Sequence, residues 1–497
     1  MLNRFKMKRF FQLIVVLAGL LIIAMIYNTL TFQSISSEEV EDVQVELVND
    51  GIAERFAGAI RIPTVSHQKV EDINYPSFLT LHQYIDASFP EIEQSLQKIV
   101  INDYSLLYKW QGSDLEAQPV LLLSHMDVVP VVASSESRWE HPPHSGAIAD
   151  GYIWGRGTLD NKQGVFAILE AVEDLLTKGY QPRRTYYLAF GHDEERGGVQ
   201  GAGKIAEYLK SKNVNAIYAL DEGGFITNGD QFGLPGKIAM VNISEKGIVN
   251  LKLTVTGEGG HSSMPPAETA AAILSQAVVK VSANKLPVNT EPVKKMLASV
   301  AGDLSLHQRV VAANFGLLKP FVTYFAEHMP MLNAFVRTTT APTMLQGSPK
   351  SNVLPTEAVA IVNHRIIPGE TGESVKDFIT KVIDDERVNI EFNGGFSNPS
   401  EVASVDSLGF EIIRKTIKQV SPTDPIILTG MLPAATDTRH YGDVSDDAYR
   451  FIYAEINMSE NRFHGTNERI KVESYLEAVR FFVQLIKNSD GAESDPD

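Results

Sequence analysis

A chain of 497 residues exceeds what a single hydrophobic core normally organises, so more than one domain is expected. Its formal charge of −17 argues against a nucleic-acid-binding role, which leaves a basic footprint, and its ordinary apolar and charged content excludes a disordered or fibrous chain. Cysteine is absent, so disulfides, thiolate ligands and cysteine nucleophiles are excluded, and any metal must be held by His, Asp and Glu.

The chain opens on Arg4, Lys6, Lys8 and Arg9, followed by an apolar run from Phe10 to Tyr27 interrupted only by Gln12 and Gly19. That length predicts a membrane-spanning helix over 10–27, with the basic tail 1–9 cytoplasmic and a polar tether over 28–48. Met25, Ile26 and Tyr27 make a poor small-residue cleavage site, although a cleaved signal peptide is the alternative. Either reading exports the remainder to a periplasmic, extracellular or lumenal space.

Residues 49–62 and 78–89 have helical spacing, and 99–101 and 105–110 read as strands. The apolar run Leu121-Leu122-Leu123 then ends in Ser124-His125-Met126-Asp127. A buried strand with an imidazole and a carboxylate at its tip resembles the ligand-bearing edge of a parallel α/β sheet. His125 could bind a metal while Asp127 orients it. His141 and His144 fall in a Pro-flanked loop and read as surface residues. Gly155-Arg156-Gly157 sets a tight turn before Asp160 and a helix over 163–176. Asp160 is either the N-cap of that helix or a carboxylate shared by two cations, and residue chemistry leaves both open.

The pattern repeats. A strand over 185–190 ends in His192-Asp193-Glu194-Glu195, and one over 216–220 ends in Asp221-Glu222-Gly223-Gly224. His464 lies in a loop before the last long helix, 474–487. Adjacent carboxylates suit a division of labour, one holding metal and the other acting as general base. Two histidines and three carboxylates, with one spare glutamate and a positioning aspartate, are the inventory of a two-zinc hydrolase.

These stretches, together with Gly260-His261-Ser262-Ser263, resemble the co-catalytic zinc family of carboxypeptidases, aminoacylases and desuccinylases. Ser244-Glu245-Lys246-Gly247, Arg337-Thr338-Thr339-Thr340-Ala341, Asn352-Val353-Leu354-Pro355 and His464-Gly465 resemble its N-fatty-acyl-amino-acid synthase/hydrolase and vacuolar carboxypeptidase S branch. The resemblance implies two zinc ions per subunit. It places His125 and Asp221 on one ion, Glu195 and His464 on the other, and Asp160 between them. Glu194 becomes the general base, Asp127 the positioning group, and a cis peptide is implied after Asp160. Ala434-Ala435 departs from the glycine that relatives carry before Thr-Asp.

The implied fold is an α/β/α zinc-peptidase catalytic domain, 49–246 and 395–490, interrupted by an α+β lid and dimerisation domain, 247–394. Strands over 249–256, 357–365 and 388–392 and helices over 267–281 and 373–384 agree with such an insertion. The resemblance implies that His261 serves the partner subunit of a homodimer, and that Asn352 and Arg365 grip substrate. A salt bridge inside the lid is the other reading of Arg365. The implied activity is hydrolysis of the amide bond of an N-acyl amino acid, an N-fatty-acyl one by branch, with the reverse synthesis also implied. A carboxypeptidase acting on short peptides is the first alternative, and an inactive binding protein on the same fold the more distant one. The apolar stretch 310–336 is unusual for such a lid, and reads either as lid core or as the wall of an acyl channel.

Overall fold

The structure is a computed structural model that describes residues 2–32, 40–458, 460 and 462–492. The expected tether over 28–48 therefore lies partly outside the described residues, at 33–39. The chain divides into two compact units. One comprises Glu39–Lys246, Pro399–Ile427 and Met431–Asp497; the other comprises Gly247–Asn398 with Met1–Glu38 and Leu428–Gly430.

In the first unit, a mixed sheet runs Gln97–Ile101, Ser105–Trp110, Tyr186–Gly191, Val120–His125, Tyr218–Asp221, Ala448–Arg450 and Lys237–Glu245 in hydrogen-bonded order. Its centre is parallel: Val120–His125 lies between Tyr186–Gly191 and Tyr218–Asp221, with His125 level with Gly191 and Leu122 level with Leu220. Three chain segments therefore leave the sheet at the same edge, which collects the polar residues that follow each strand. Both faces of these strands are buried, which is why they read as continuous apolar runs. Leu121, Leu123, Tyr187 and Ala189 point to the side where Ile205 and Leu209 of the Ala202–Ser211 helix pack. Helix Lys162–Thr177 also packs on the Val120–His125 strand and touches the C-terminal helix Val472–Gly491, giving an α/β/α arrangement. Phe56 stacks on Tyr475 at 4.4 Å and links the Ile52–Ile60 helix to this layer.

The second unit holds a four-stranded antiparallel sheet in the order Thr339–Gln346, Glu357–Ile366, Gly247–Thr256, Asn389–Phe392. Strict alternation of buried and part-exposed residues along Gly247–Thr256 and Glu357–Ile366 leaves one covered face. There Val249, Leu251, Leu253, Ala360 and Val362 meet Ile273 and Leu274 of helix Ala270–Ala283, and Val375 and Ile379 of helix Gly372–Ile383. The apolar stretch 310–336 falls in a run of short helices, Glu291–Ser299, Leu306–Ala313, Lys319–His328 and Pro330–Val336, around a small core containing Val293, Phe315, Ala326 and Val336.

The N-terminal helix extends over Leu2–Thr31, and its segment Phe10–Thr31 is long and apolar enough to cross a membrane. Its last turn is fastened to this second unit. Asn28 Nδ2 donates to Asn314 Oδ1 at 3.1 Å, Asn314 Nδ2 donates to Thr29 Oγ1 at 3.3 Å, and Arg309 Nη2 donates to the Phe32 carbonyl at 2.5 Å.

Candidate active site

The parallel strand tips of the first unit bring His125, Asp160, Glu194, Glu195 and Glu222 together, and His464 joins them from its loop. His125 closes its strand fully buried. Its Nδ1 donates to the Asp127 backbone carbonyl at 3.0 Å, which turns Nε2 outward to the carboxylates of Asp160 and Glu222. Asp127 is buried and acts as a bracket. Ser66 Oγ donates to its Oδ2 at 2.6 Å, and the backbone N–H groups of Glu194 and Glu195 donate to its two oxygens at 3.1 and 3.2 Å. One aspartate thus fixes both the imidazole strand and the turn that carries the paired glutamates.

The two readings of Asp160 are separated by its neighbour. Asn161 occupies the N-cap of the Lys162–Thr177 helix and accepts from Gly164 N–H, so Asp160 is not the cap. The peptide between Asp160 and Asn161 is cis. The Asp160 oxygens face opposite ways, Oδ1 at 3.0 Å from His125 Nε2 and Oδ2 at 2.9 Å from His464 Nε2. Burial alone would push the Asp160 carboxyl up, but hydrogen bonds to the two histidines outweigh it and hold the group below the ordinary carboxylate range. Asp160 and Glu195, whose oxygens lie 2.9 and 3.3 Å from its Nε2, push His464 up to about 10.

His464 is held by residues whose part the sequence did not announce. Arg156 and Glu468 form a fully buried ion pair. Glu468 Oε1 accepts from the N–H groups of Gly157 and Leu159 at 2.9 and 2.8 Å, while Arg156 Nη2 donates to the His464 carbonyl at 3.0 Å. The pair therefore ties the His464 loop to the Asp160 turn. Gly157 sits at φ +92 with no room for a side chain, because a Cβ would lie 2.8 Å from Val128 Cγ1.

Asp221, expected as a metal ligand, turns neither oxygen toward His125. Asp221 Oδ1 accepts from Glu222 N–H at 2.9 Å and Oδ2 from Thr438 N–H at 3.1 Å, so both oxygens are engaged by backbone. Glu222, the next residue, directs its Oε1 to within 3.0 Å of His125 Nε2. Successive residues at a strand end point to opposite sides, so a one-residue step decides which carboxylate faces the imidazole. Other residues that escaped the sequence reading are Asp437, buried with Oδ1 unpartnered, and Arg439, whose Nη2 lies 3.5 Å from Glu194 Oε1.

This donor set fits metal. Burial, with repulsion from neighbouring carboxylates, pushes up the carboxyls of Glu194, Glu195, Asp221, Glu222 and Asp437; Asp221 reaches about 6 and Glu222 about 8. Glu195 Oε1 is buried 3.3 Å from His464 Nε2 without a well-directed hydrogen bond. A cluster so rich in carboxylates, with imidazole nitrogens turned into it and no Lys among its donors, suits bound cations.

The remaining expected residues belong to the second unit. His261 is exposed on the two-residue strand Gly260–His261, which pairs with Val353–Leu354, and its Nδ1 lies 2.7 Å from Ser263 Oγ. Asn352 is exposed beside it, its carbonyl accepting from Ser262 N–H. Arg365 is part-buried on the Glu357–Ile366 strand, level with Ile248 and Thr339.

Residues 121–488 match the model of peptidase family M20/M25/M40. The chain is 40% identical over 446 residues to N-fatty-acyl-amino acid synthase/hydrolase PM20D1.1 of Danio rerio, covering 88% of this chain and 86% of that protein. It is 30% identical to carboxypeptidase S of Saccharomyces cerevisiae, covering 88% and 83% of the two chains. Among solved structures, the M20 family metallo-carboxypeptidase Sso-CP2 from Sulfolobus solfataricus shares the fold, with a TM-score of 0.65 at 16% identity over 89% of this chain and 100% of that one. The chain accordingly belongs to peptidase family M20/M25/M40 and is a metal-dependent hydrolase with that family's α/β fold.

Proposed function

We propose that the protein hydrolyses the amide bond of N-fatty-acyl amino acids, using two divalent cations, zinc by preference, held at the strand tips. The observation that carries the reading is the placement of Asp160, with one oxygen toward His125 and the other toward His464. In this reading His125 and Glu222 would hold one ion and Glu195 and His464 the other, with Asp160 available to both. Asp221 keeps the Glu222 turn in place. When bound, the ions supply Lewis-acid polarisation of the carbonyl and a water acidified enough to attack near neutral pH.

The chain's own groups do the rest. Asp127 presents the Glu194–Glu195 turn through its two backbone contacts. Glu194, its carboxyl pushed up by burial and by neighbouring carboxylates, is suited to take a proton from the attacking water and deliver it to the departing amine nitrogen. Asn352 and Arg365 are proposed to grip the substrate's free carboxylate, which a guanidinium can clamp with two bonds. His261 is proposed to stabilise the oxyanion in the partner subunit of a homodimer.

The N-terminal helix is read as a retained anchor that leaves the catalytic unit outside the cytoplasm. The relative in Danio rerio is named for synthesis and hydrolysis of N-fatty-acyl amino acids, and the yeast relative for carboxypeptidase activity. The deciding experiment compares kcat/KM for one amino acid carrying acetyl, octanoyl and oleoyl groups with that for C-terminal dipeptides. Each methylene buried in an acyl site adds about 0.8 kcal/mol, so efficiency should climb with chain length until the site is full. A flat or falling series, with dipeptides cleaved well, replaces this reading with the carboxypeptidase one.

A further inference from the structure

The helical insertion of the second unit carries two apolar faces, and its own core uses only one. Val293, Phe315, Ala326 and Val336 fill the interior. Val311, Leu317, Phe321, Tyr324, Phe325 and Met329 are all about half exposed or more, Phe321 at 64%. Only Arg309, Lys319 and Glu327 are charged among the 33 residues from Leu304 to Val336, against 21% charged in the chain as a whole. An outward apolar patch so poor in charge is a liability in water and marks a surface that something covers.

The occupant follows from what the insertion is fastened to. Asn314, itself buried, bonds to Asn28 and Thr29 in the last turn of the apolar N-terminal helix, and Arg309 caps the carbonyl of Phe32 just beyond it. A span of 22 residues, Phe10–Thr31, matches the hydrocarbon thickness of a bilayer, so its last turn lies at the lipid–water boundary. Whatever is bonded to that turn lies there too. Tyr and Phe at this level, with Arg and Lys beside them, are the residue types that settle among lipid headgroups.

We propose that the outer face of the 306–329 helices is a membrane-docking surface, inserted into the headgroup region of the leaflet where the anchor emerges. The anchor and this patch then act as two attachments of one unit, which fixes the unit's orientation on the bilayer as a single flexible tether could not. The inference rests on the retained-anchor reading above.

The absence of native cysteine allows a direct test. Full-length Phe321→Cys and Tyr324→Cys, and Leu115→Cys on the exposed surface of the first unit, are spin-labelled and reconstituted in phosphatidylcholine–phosphatidylglycerol vesicles. Collision with lipid-soluble oxygen is compared with collision with an aqueous nickel chelate. Labels at 321 and 324 should favour oxygen, and the label at 115 nickel. Free nickel access at 321 and 324 in protein that floats with the vesicles would overturn the docking surface alone. Shielding from both reagents would overturn it too, assigning the patch to a second copy of the chain. Protein that fails to float would overturn the anchor reading and this inference together.

Discussion

Glu222 Oε1 lies 3.0 Å from His125 Nε2, while the preceding Asp221 spends both oxygens on backbone N–H groups. On the proposed reading Glu222 would hold the ion and Asp221 would support the turn that carries it. Glu222→Ala should therefore lower the metal content per chain after dialysis. Asp221→Asn should keep the stoichiometry and weaken affinity by ~10–100-fold, as loss of a supporting group does. Elemental analysis and metal titration of the two variants check this. The reverse pattern returns the ligand to Asp221.

Glu194→Gln should retain the fold and both ions while hydrolysis falls by ~10²–10⁴-fold, the usual cost of losing a general base. Metal content and kcat on one preparation separate the outcomes, since metal loss would exchange the roles of Glu194 and Glu195. Mixed with His261→Ala under conditions of subunit exchange, Glu194→Gln should recover activity. Demonstrated exchange without recovery would remove His261 from the partner's site.

The buried pair Arg156–Glu468 has two consequences. Glu468→Gln leaves the Arg156 guanidinium without its carboxylate and should destabilise the first unit by about 3–5 kcal/mol in urea unfolding. Because Arg156 and Glu468 join the His464 loop to the Asp160 turn, metal affinity should fall even where the variant is fully folded. Unchanged affinity would confine the pair to stability.

His364 is buried in the second unit's sheet, with Nδ1 3.0 Å from Thr340 Oγ1 and Nε2 unpartnered. Burial pushes it down to about 4, against about 6.5 when unfolded. The unfolded chain therefore binds the extra proton between these values. The contribution is fully present above pH 6.5 and is lost as pH falls toward 4, by about 3 kcal/mol in all. Hydrogen exchange in the Gly247–Thr256 strand at pH 7 and pH 5 should show this loss, and His364→Gln should show less of it. An identical pH response in both proteins would rule the histidine out.

Patterns set by nearest neighbours were legible in the chain alone. Alternation along 249–256 and 357–365 follows from the two-residue period of a strand with one covered face. The runs before His125, Gly191 and Asp221 follow from burial on both faces of a parallel sheet. Strand-tip chemistry could therefore be read from where each apolar run stopped.

Tertiary structure decided which atoms face one another. Asp160 and Asn161 are interchangeable as caps by composition, and the fold gives the cap to Asn161 and sends Asp160 toward two histidines from distant segments. Asp221 and Glu222 are both plausible ligands by type, and the last backbone step out of the strand turns Glu222 toward His125 and Asp221 toward backbone N–H groups. The Arg156–Glu468 pair and the bond from Asn28 to Asn314 join residues some 300 positions apart. No local period encodes such contacts, because they depend on how separate elements pack rather than on the spacing within any one of them.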